Sequence, residues 1–426
     1  MNRYFLSYIF LWAVLTASCQ EKLTLQACLD KLETNSLQIA AESGSLHSSG
    51  INKQFHWWSL LPNLSGNAGF NTSFGRRLDP FTNTFATSSV NSQSFGLNSS
   101  VQLFDGFSYF YKRNLLTTKI ERDKIDLSQK VNELKIQLIE KYAALCKLSL
   151  QTQWRESRIE KYNQLQNLQR LLLKEGRIHA IDTLRSEQSV LKEYDQLLTL
   201  RNESKLNRIQ LNLLMNLPLT AVYSVDVSSV SGIEEKVRFT ETYGSELNEV
   251  EWKLLETELQ IERSSILPSI SLNGLVGTGF STNNKDYSQA GIPTKAYSRQ
   301  INENLYEGIG FNLNIPLFNR GAWLKTKRLS AVQQTELSQR MELTGQLLEK
   351  QRLEWEQKRL DLRARQEQNK RMTDNLELIY QKSLLLYEAG RLTYREIELT
   401  LMEWQQELEE GEMLRFDLKL MELFDD

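Results

Sequence analysis

Residues 308–318 read Gly-Ile-Gly-Phe-Asn-Leu-Asn-Ile-Pro-Leu-Phe. In an extended chain Ile309, Phe311, Leu313, Ile315 and Leu317 share one face, while Gly308, Gly310, Asn312 and Asn314 share the other. A polar face of glycine and asparagine suits a water-filled lumen better than solvent-facing Lys and Glu would. Phe95, Leu97, Val101 and Leu103 alternate in the same way with Gly96, Asn98, Ser100 and Gln102, and weaker versions run over residues 63–74 and 268–280. Each segment is about 10 to 13 residues, the length a tilted strand needs to cross a bilayer. Polar loops, Gly75 to Gln93 and Ser281 to Glu307, join them into two hairpins. Trp57 and Trp58 precede the first strand, Phe107, Tyr109, Phe110 and Tyr111 follow the second, and Trp323 follows the fourth. That is the placement of an aromatic belt at one membrane interface. The strands therefore read as part of a membrane barrel rather than as a sheet half buried under helices. Four strands cannot close one, since single-chain barrels start at about eight, so several chains must share it.

Outward from the strands the period changes. Residues 107–175 contain neither glycine nor proline, and Leu127, Val131, Leu134, Leu138, Tyr142 and Leu145 recur at spacings of three and four. This predicts one amphipathic helix of roughly 100 Å at 1.5 Å per residue. Gly176 interrupts it, and Arg177 to Leu217 returns before Pro218. The layout repeats: Ala322 to Ala389 is helical in pattern, Gly390 forms the tip, and Arg391 to Phe424 returns. Leu103-Phe104-Asp105 matches Leu317-Phe318-Asn319, and Gly176-Arg177-Ile178 matches Gly390-Arg391-Leu392, both pairs 214 positions apart. Two landmarks with one offset mark an internal duplication. The shorter helices, Thr24 to Trp58 and Arg177 to Leu217, together roughly match the long one in length. The chain divides into residues 1–19 as a signal peptide, 20–218 as the first structural repeat, 219–240 as a Val- and Ser-rich linker at the equator, and 241–426 as the second repeat.

Composition agrees. The 426 residues include only six prolines and 20 glycines. At 40% hydrophobic and 24% charged the chain is too apolar for disorder. A mean hydropathy of −0.44 is too low for a bundle of membrane helices. A net charge of −2 supplies no chain-wide positive field for nucleic acid. Three histidines (His47, His56, His179) and three cysteines (Cys19, Cys28, Cys146) are scattered, so no zinc site or disulfide framework is expected. Cys28 and Cys146 read as small apolar residues on helices. At the start, Arg3, an apolar stretch from Tyr4 to Leu15 and the small run Thr16-Ala17-Ser18 make an export signal, too short to span a bilayer. Cleavage after Cys19 leaves Gln20 as the N-terminus, and cleavage before it leaves Cys19 as a lipid-modified end. The residue three before the cysteine is Thr16 rather than leucine, and both outcomes stay open.

Long paired helices, two strand hairpins, an export signal and a duplication around glycine tips resemble the TolC-like outer-membrane efflux proteins over nearly the whole mature chain. The local marks are Leu23-Thr-Leu-Gln-Ala-Cys-Leu-Asp30, Leu103-Phe-Asp-Gly106, Leu317-Phe-Asn-Arg-Gly321, Gly176 with Asp182, and Tyr387-Glu-Ala-Gly390 with Glu396. The resemblance implies an α plus transmembrane-β fold: long helical hairpins forming a periplasmic α-barrel, and four strands per protomer in a homotrimeric twelve-stranded barrel in the outer membrane of a Gram-negative bacterium, in contact with its lipid. It implies a channel without cofactor or catalysis, exporting cargo received from an inner-membrane pump of RND or ABC type through a periplasmic adaptor. It also implies a gate at the tips, formed by Asp182, Tyr387, Arg391 and Glu396. The arginine departs from the family pattern, since it directly follows Gly390 while Leu392 holds the family position, and Leu399 stands where a second acid is expected. The residues beside the glycines, Arg177, Ile178, Leu392 and Thr393, are expected to dock the adaptor.

Two other readings compete. His179 near Asp182 suggests acid–base work, but no nucleophile motif, phosphate loop or metal spacing accompanies the pair. An exported coiled-coil scaffold without a barrel shares the helices, so the strands decide. The exported substrate and the pump served are not written in the sequence.

Overall fold

A computed structural model gives the fold and describes residues 22–79, 83, 85–86, 89–232, 238, 240–288, 290 and 292–423. The export signal and Cys19 lie outside the described residues. The chain forms two compact units, one of residues 45–124 and 247–340 and one assembled from residues 22–44, 125–246 and 341–423.

The first unit holds an antiparallel sheet of four strands: β2 (Asn63–Ser73), β5 (Val90–Phe104), β7 (Ser269–Ser281) and β8 (Tyr306–Asn314), in the order β2-β5-β7-β8. Numbering starts with a short β1 (Lys22–Leu23) in the other unit, and a two-residue pair, β3 (Arg77–Leu78) and β4 (Phe85–Ala86), sits in the first loop. Two expected boundaries shift. β5 begins at Val90, inside the expected loop, because β2 pairs with this stretch on one side while Ser281 of β7 and the following Thr282 bond Ser92 and Asn91 on the other, even though no alternation is visible there. β8 stops at Asn314, short of Phe318, since Pro316 lacks an N–H and this edge has no further partner. The second loop contains a short helix, Tyr297–Glu303, which lies against the end of β7 that extends past its last β8 pair. There Thr278 Oγ1 donates to Ile301 O at 2.5 Å, and Asn304 Nδ2 donates to Gly279 O at 2.7 Å.

The helices number α1 (Leu25–Asn35), α2 (Leu37–Phe55), α3 (Ser108–Lys174), α4 (Ala180–Leu214), α5 (Thr240–Ser264), α6 (Tyr297–Glu303), α7 (Ala322–Glu388) and α8 (Tyr394–Met421). The expected single helix from Thr24 to Trp58 is broken at Ser36, whose extended backbone starts a new turn, and it ends in a 3-10 turn at His56–Leu60. The duplication is kept to the residue. α3 and α7 are each 67 residues long, their first residues 108 and 322 and their last residues 174 and 388 both being 214 apart. α4 and α8 begin at 180 and 394, again 214 apart. Gly345 does not interrupt α7. No helix among the described residues is long and apolar enough to cross a membrane.

The helical unit is held by two main clusters. In one, Leu25, Cys28, Leu29 and Leu32 of α1 pack on Leu134, Leu138, Tyr142 and Cys146 of α3. Tyr223 and Val230, from the segment expected as a linker at the equator, join them. Their β6 (Ser224–Val225) pairs in parallel with β1. Tyr142 ties this region together. Its hydroxyl accepts from Asp226 N at 3.1 Å and lies within 2.8 Å of Leu23 O, 3.0 Å of Asp226 O and 2.9 Å of Ser229 Oγ. Asn212 Nδ2 donates to Leu219 O and Ala221 O. Burial pushes both the Tyr142 and Tyr223 phenols above their ordinary range, and pushes the Cys28 and Cys146 thiols up to about 12.

Replacing Tyr142 with Phe removes one of the two hydrogen bonds of Asp226 N–H, which keeps Leu23 O at 3.3 Å, while Asp226 O keeps Ser229 N and Oγ, so we expect a loss of about 0.5–1.5 kcal/mol from the helical unit, read as a lower thermal midpoint by circular dichroism. Because burial raises these phenols, the folded state keeps them protonated where the unfolded chain ionises. Stability is then fully present below the ordinary tyrosine range near pH 10 and falls as pH rises above it, which an alkaline unfolding titration checks.

Candidate functional site

The strand register sorts the sheet into two chemically distinct faces. Ala68 lies opposite Phe95, Gly66 opposite Leu97, Leu97 opposite Val276, Val101 opposite Leu272, and Leu272 opposite Phe311. With period-2 alternation, one face carries Leu64, Phe70, Phe95, Leu97, Ile309 and Phe311 among others, and the opposite face carries Asn63, Ser65, Asn67, Asn98, Asn273, Asn312 and Asn314. Asn98 Nδ2 donates to Asn67 Oδ1 across the polar face at 2.9 Å. The apolar face is open: Ile309 is 83% and Phe311 75% exposed. Keeping one such side chain in water rather than buried costs about 1.5–3 kcal/mol, so this face is built for a non-aqueous surrounding.

The aromatic residues gather at the end of the sheet where β2 and β7 begin and β5 and β8 end. Trp57 and Trp58 occupy the 3-10 turn before β2, half exposed, with ring centroids 5.8 Å apart. Tyr109 stacks on His56 at 4.6 Å and meets Phe110 edge-on at 5.4 Å. Tyr111 follows on the first turn of α3. Trp323 lies under the Arg263 guanidinium at 5.8 Å. A second set at the opposite end was missed in the sequence: Phe74, Phe85, Tyr287 and Tyr306, each more than half exposed, flank or line the loops. The signal was present as aromatics bordering each polar loop.

In the helical unit the expected tip residues come together. Gly176 and Gly390 have φ of +72° and +71°, with open space where a Cβ would stand, so the backbone conformation and not crowding requires glycine. Arg177 N donates to Leu172 O at 3.0 Å and Gly176 N to Leu173 O at 3.0 Å. Arg391 N and Gly390 N repeat these bonds to Leu386 O and Tyr387 O, both at 2.9 Å. This is the Schellman closure of a helix end. Ile178 and Leu392, beside the glycines, are half buried against a cluster of Tyr162, Leu165, Leu172, Val190, Tyr387, Tyr394, Ile397 and Leu401.

The four gate candidates differ in their surroundings. Glu396 closes a capping box: its Oε2 accepts from Thr393 N at 2.8 Å and Thr393 Oγ1 at 2.6 Å, and these bonds hold its carboxyl below the usual range. Asp182 sits in the first turn of α4, 3.6 Å from Arg185. Arg177 pairs with Glu175 at 3.2 Å, whereas Arg391 is exposed and has no partner among the described residues. Tyr387 is 1% exposed; burial raises its phenol, Gln169 faces it, and no hydrogen bond of normal geometry forms between them. His179 caps α4 without a side-chain hydrogen bond.

Two features near the tips gave no sequence signal. Ser189 on α4 donates to Glu398 on α8. Further along, Arg158 of α3 is 3.0 Å from Glu409 of α8 and 3.7 Å from Glu193 of α4, and Arg155 reaches Glu193 at 2.8 Å. This nearly buried ion network joins three helices, and such pairing across 250 residues leaves no local pattern.

No family model matches the sequence, and no curated protein matches it significantly. Solved structures do. A CusC structure described by its transmembrane channel formation aligns with TM-score 0.76 at 15% identity, covering 94% of this chain and 91% of that one. The outer membrane protein VceC of Vibrio cholerae aligns with TM-score 0.72 at 12% identity, covering 94% and 95%. The open state of the MtrE outer membrane channel of Neisseria gonorrhoeae aligns with TM-score 0.65 at 14% identity, covering 94% and 87%. The chain has the fold of the TolC-like outer-membrane channels.

Proposed function

We propose that this chain is the outer-membrane channel-tunnel of a tripartite efflux or type I secretion system in a Gram-negative bacterium. Three copies each contribute four strands to a twelve-stranded barrel, and their helical hairpins form the periplasmic tunnel. Cargo enters from an inner-membrane pump through a periplasmic adaptor, and the chain performs no chemistry on it. The observation that carries this reading is the sheet, mainly apolar on one face apart from Glu307 near its loop end, mainly asparagine, serine and glycine on the other, and open at both edges. A soluble coiled-coil scaffold would leave that apolar face in water. We expect the protein in the outer-membrane fraction, with gel migration that changes on heating. Recovery as a soluble periplasmic protein would establish the scaffold instead.

The tips supply the gate and the adaptor contact in this reading. Arg391 is the group best placed to bridge between protomers, being exposed and unpaired, with Asp182 and the free oxygen of Glu396 as acids in the same tip region. Tyr387 contributes by packing, since its ring is inside its own protomer. Ile178, Leu392 and Thr393 beside Gly176 and Gly390 would meet the adaptor, together with Arg177. In planar bilayers we expect Arg391→Ser to raise single-channel conductance severalfold and Tyr387→Phe to raise it less. Conductance unchanged by Arg391→Ser removes the arginine from the gate.

A further inference from the structure

A cleft of about 570 Å³ opens on the helical unit between α3, α4 and β6. Arg201, Lys205 and Arg208 line it; spaced by four and then three on α4, they share one helix face. Ser149 of α3, Ser204 of α4 and Ser224 of β6 add hydroxyls, and the ring of Tyr223 adds apolar surface. Among the described residues no aspartate or glutamate lines the cleft.

The three cations differ in their surroundings. Arg201 is paired with Glu156 of α3 at 2.9 Å, both side chains about half exposed. Lys205 and Arg208 have no acid partner among the described residues. The Arg208 guanidinium stands over the ring of Tyr223 at 5.9 Å, and Tyr223 is itself only 5% exposed, so the charge is held in place by a fixed support. Arg208 Nε is buried and meets no acceptor among the described residues. Like charges on one helix face repel, and a buried cationic donor without an acceptor is costly. The cleft therefore holds a local excess of positive charge that its own walls do not offset.

The second repeat provides an internal comparison. At the offset of 214 that relates α4 to α8, Arg201 and Lys205 correspond to Arg415 and Lys419, but Arg208 corresponds to Glu422. Gln153, which also lines the cleft, corresponds to Glu367. The acid-free set of three cations belongs to the first repeat alone.

We propose that this cleft binds a small oxyanion with more than one negative charge, a phosphate or a polycarboxylate, between Lys205 and Arg208. A guanidinium fork matches the paired oxygens of such a group, an ammonium supplies a compact point charge, and serine hydroxyls donate to the oxygens that remain. Two unpaired cations match two negative charges, and the volume is that of a small-molecule site. Bound there, the anion links α3, α4 and β6. The proposal concerns the helical unit alone and does not rest on the channel reading.

The test uses the full-length protein in detergent, at a constant low ionic strength set with chloride, titrated calorimetrically with inorganic phosphate or with citrate. Saturable binding of one anion per chain is expected, and the tighter of the two probes identifies phosphate or carboxylate chemistry. Arg208→Gln and Lys205→Ala each weaken it about tenfold or more, whereas Lys419→Ala, at the counterpart position of the second repeat, leaves it unchanged. The same anion raises the thermal midpoint of the unsubstituted chain but not that of Lys205→Ala, an exposed position where alanine suits the helix. Absence of saturable binding, or binding that neither Lys205→Ala nor Arg208→Gln weakens, overturns the site. A chain that binds neither probe and loses its self-association on either substitution assigns the cations to an acid of a neighbouring copy, which also overturns it.

Discussion

The constraint on which the rest of this structure depends is the backbone along the two open edges of the four-stranded sheet. An unpaired N–H or C=O in hydrocarbon costs several kcal/mol, and β2 and β8 each present a row of them over 11 and 9 residues. No side-chain packing within one chain offsets a sum of that size. An apolar face such as that of Leu64, Phe70, Ile309 and Phe311 therefore enters a membrane only if the edges find partners, and closure into a ring is the way a sheet loses its edges. Membrane insertion and self-association are in this view one requirement, set by hydrogen bonding, with the hydrophobic effect selecting which face points outward.

Duplication is the economical way to meet that requirement. Because β5 and β7 pair inside the chain, the hairpins of the two repeats meet in one sheet with a common register and facial alternation. The two 67-residue helices follow from the same duplication, each entered through a pair of positive-φ residues, Gly106-Phe107 and Arg320-Gly321, 214 positions apart. Which residue of each pair is glycine has switched between the repeats while the backbone has not. The conformation is thus the retained feature, and crowding against Ser264 explains why the first of each pair can be arginine in the second repeat only.

Much of this was legible in sequence because it is periodic. Strands with 2-residue alternation and helices without breakers announced themselves, and Gly176 and Gly390 marked the tips since φ near +70° has few other occupants. What was not legible lacks a period or depends on distant partners. Val90 to Gln93 extend β5 because β2 pairs with all of them and β7 with the last two. Ser36 breaks the N-terminal helix without glycine or proline. β1, β6 and α6 are too short to show a pattern. The burial of Tyr223 and Val230 anchors the equatorial segment on distant helices, and the Arg155–Glu193–Arg158–Glu409 network joins three helices far apart in sequence. Residues 59–65, Ser-Leu-Leu-Pro-Asn-Leu-Ser, and 265–271, Ser-Ile-Leu-Pro-Ser-Ile-Ser, also repeat, but at an offset of 206, which separates them from the landmarks spaced by 214.

The tips show why residue type alone does not assign a gate. Charged and polar groups there must first finish two helix ends and start two more. Glu396 gives one carboxylate oxygen to the cap of α8, and Tyr387 gives its ring to the cluster beneath the tip. The two hairpins are unequal in this respect: Thr393 and Glu396 form a capping box on α8, whereas His179 makes no side-chain cap on α4. The start of α4 is therefore held by fewer bonds, with Asp182 acting through the helix dipole and a long pairing to Arg185. If one tip is to move while the other stays ordered, this asymmetry favours motion at the first. Arg391 is the exception to local use. It follows a helix already closed by backbone bonds, and among the described residues its guanidinium has no acid partner, so no cap or cluster of the tip uses it.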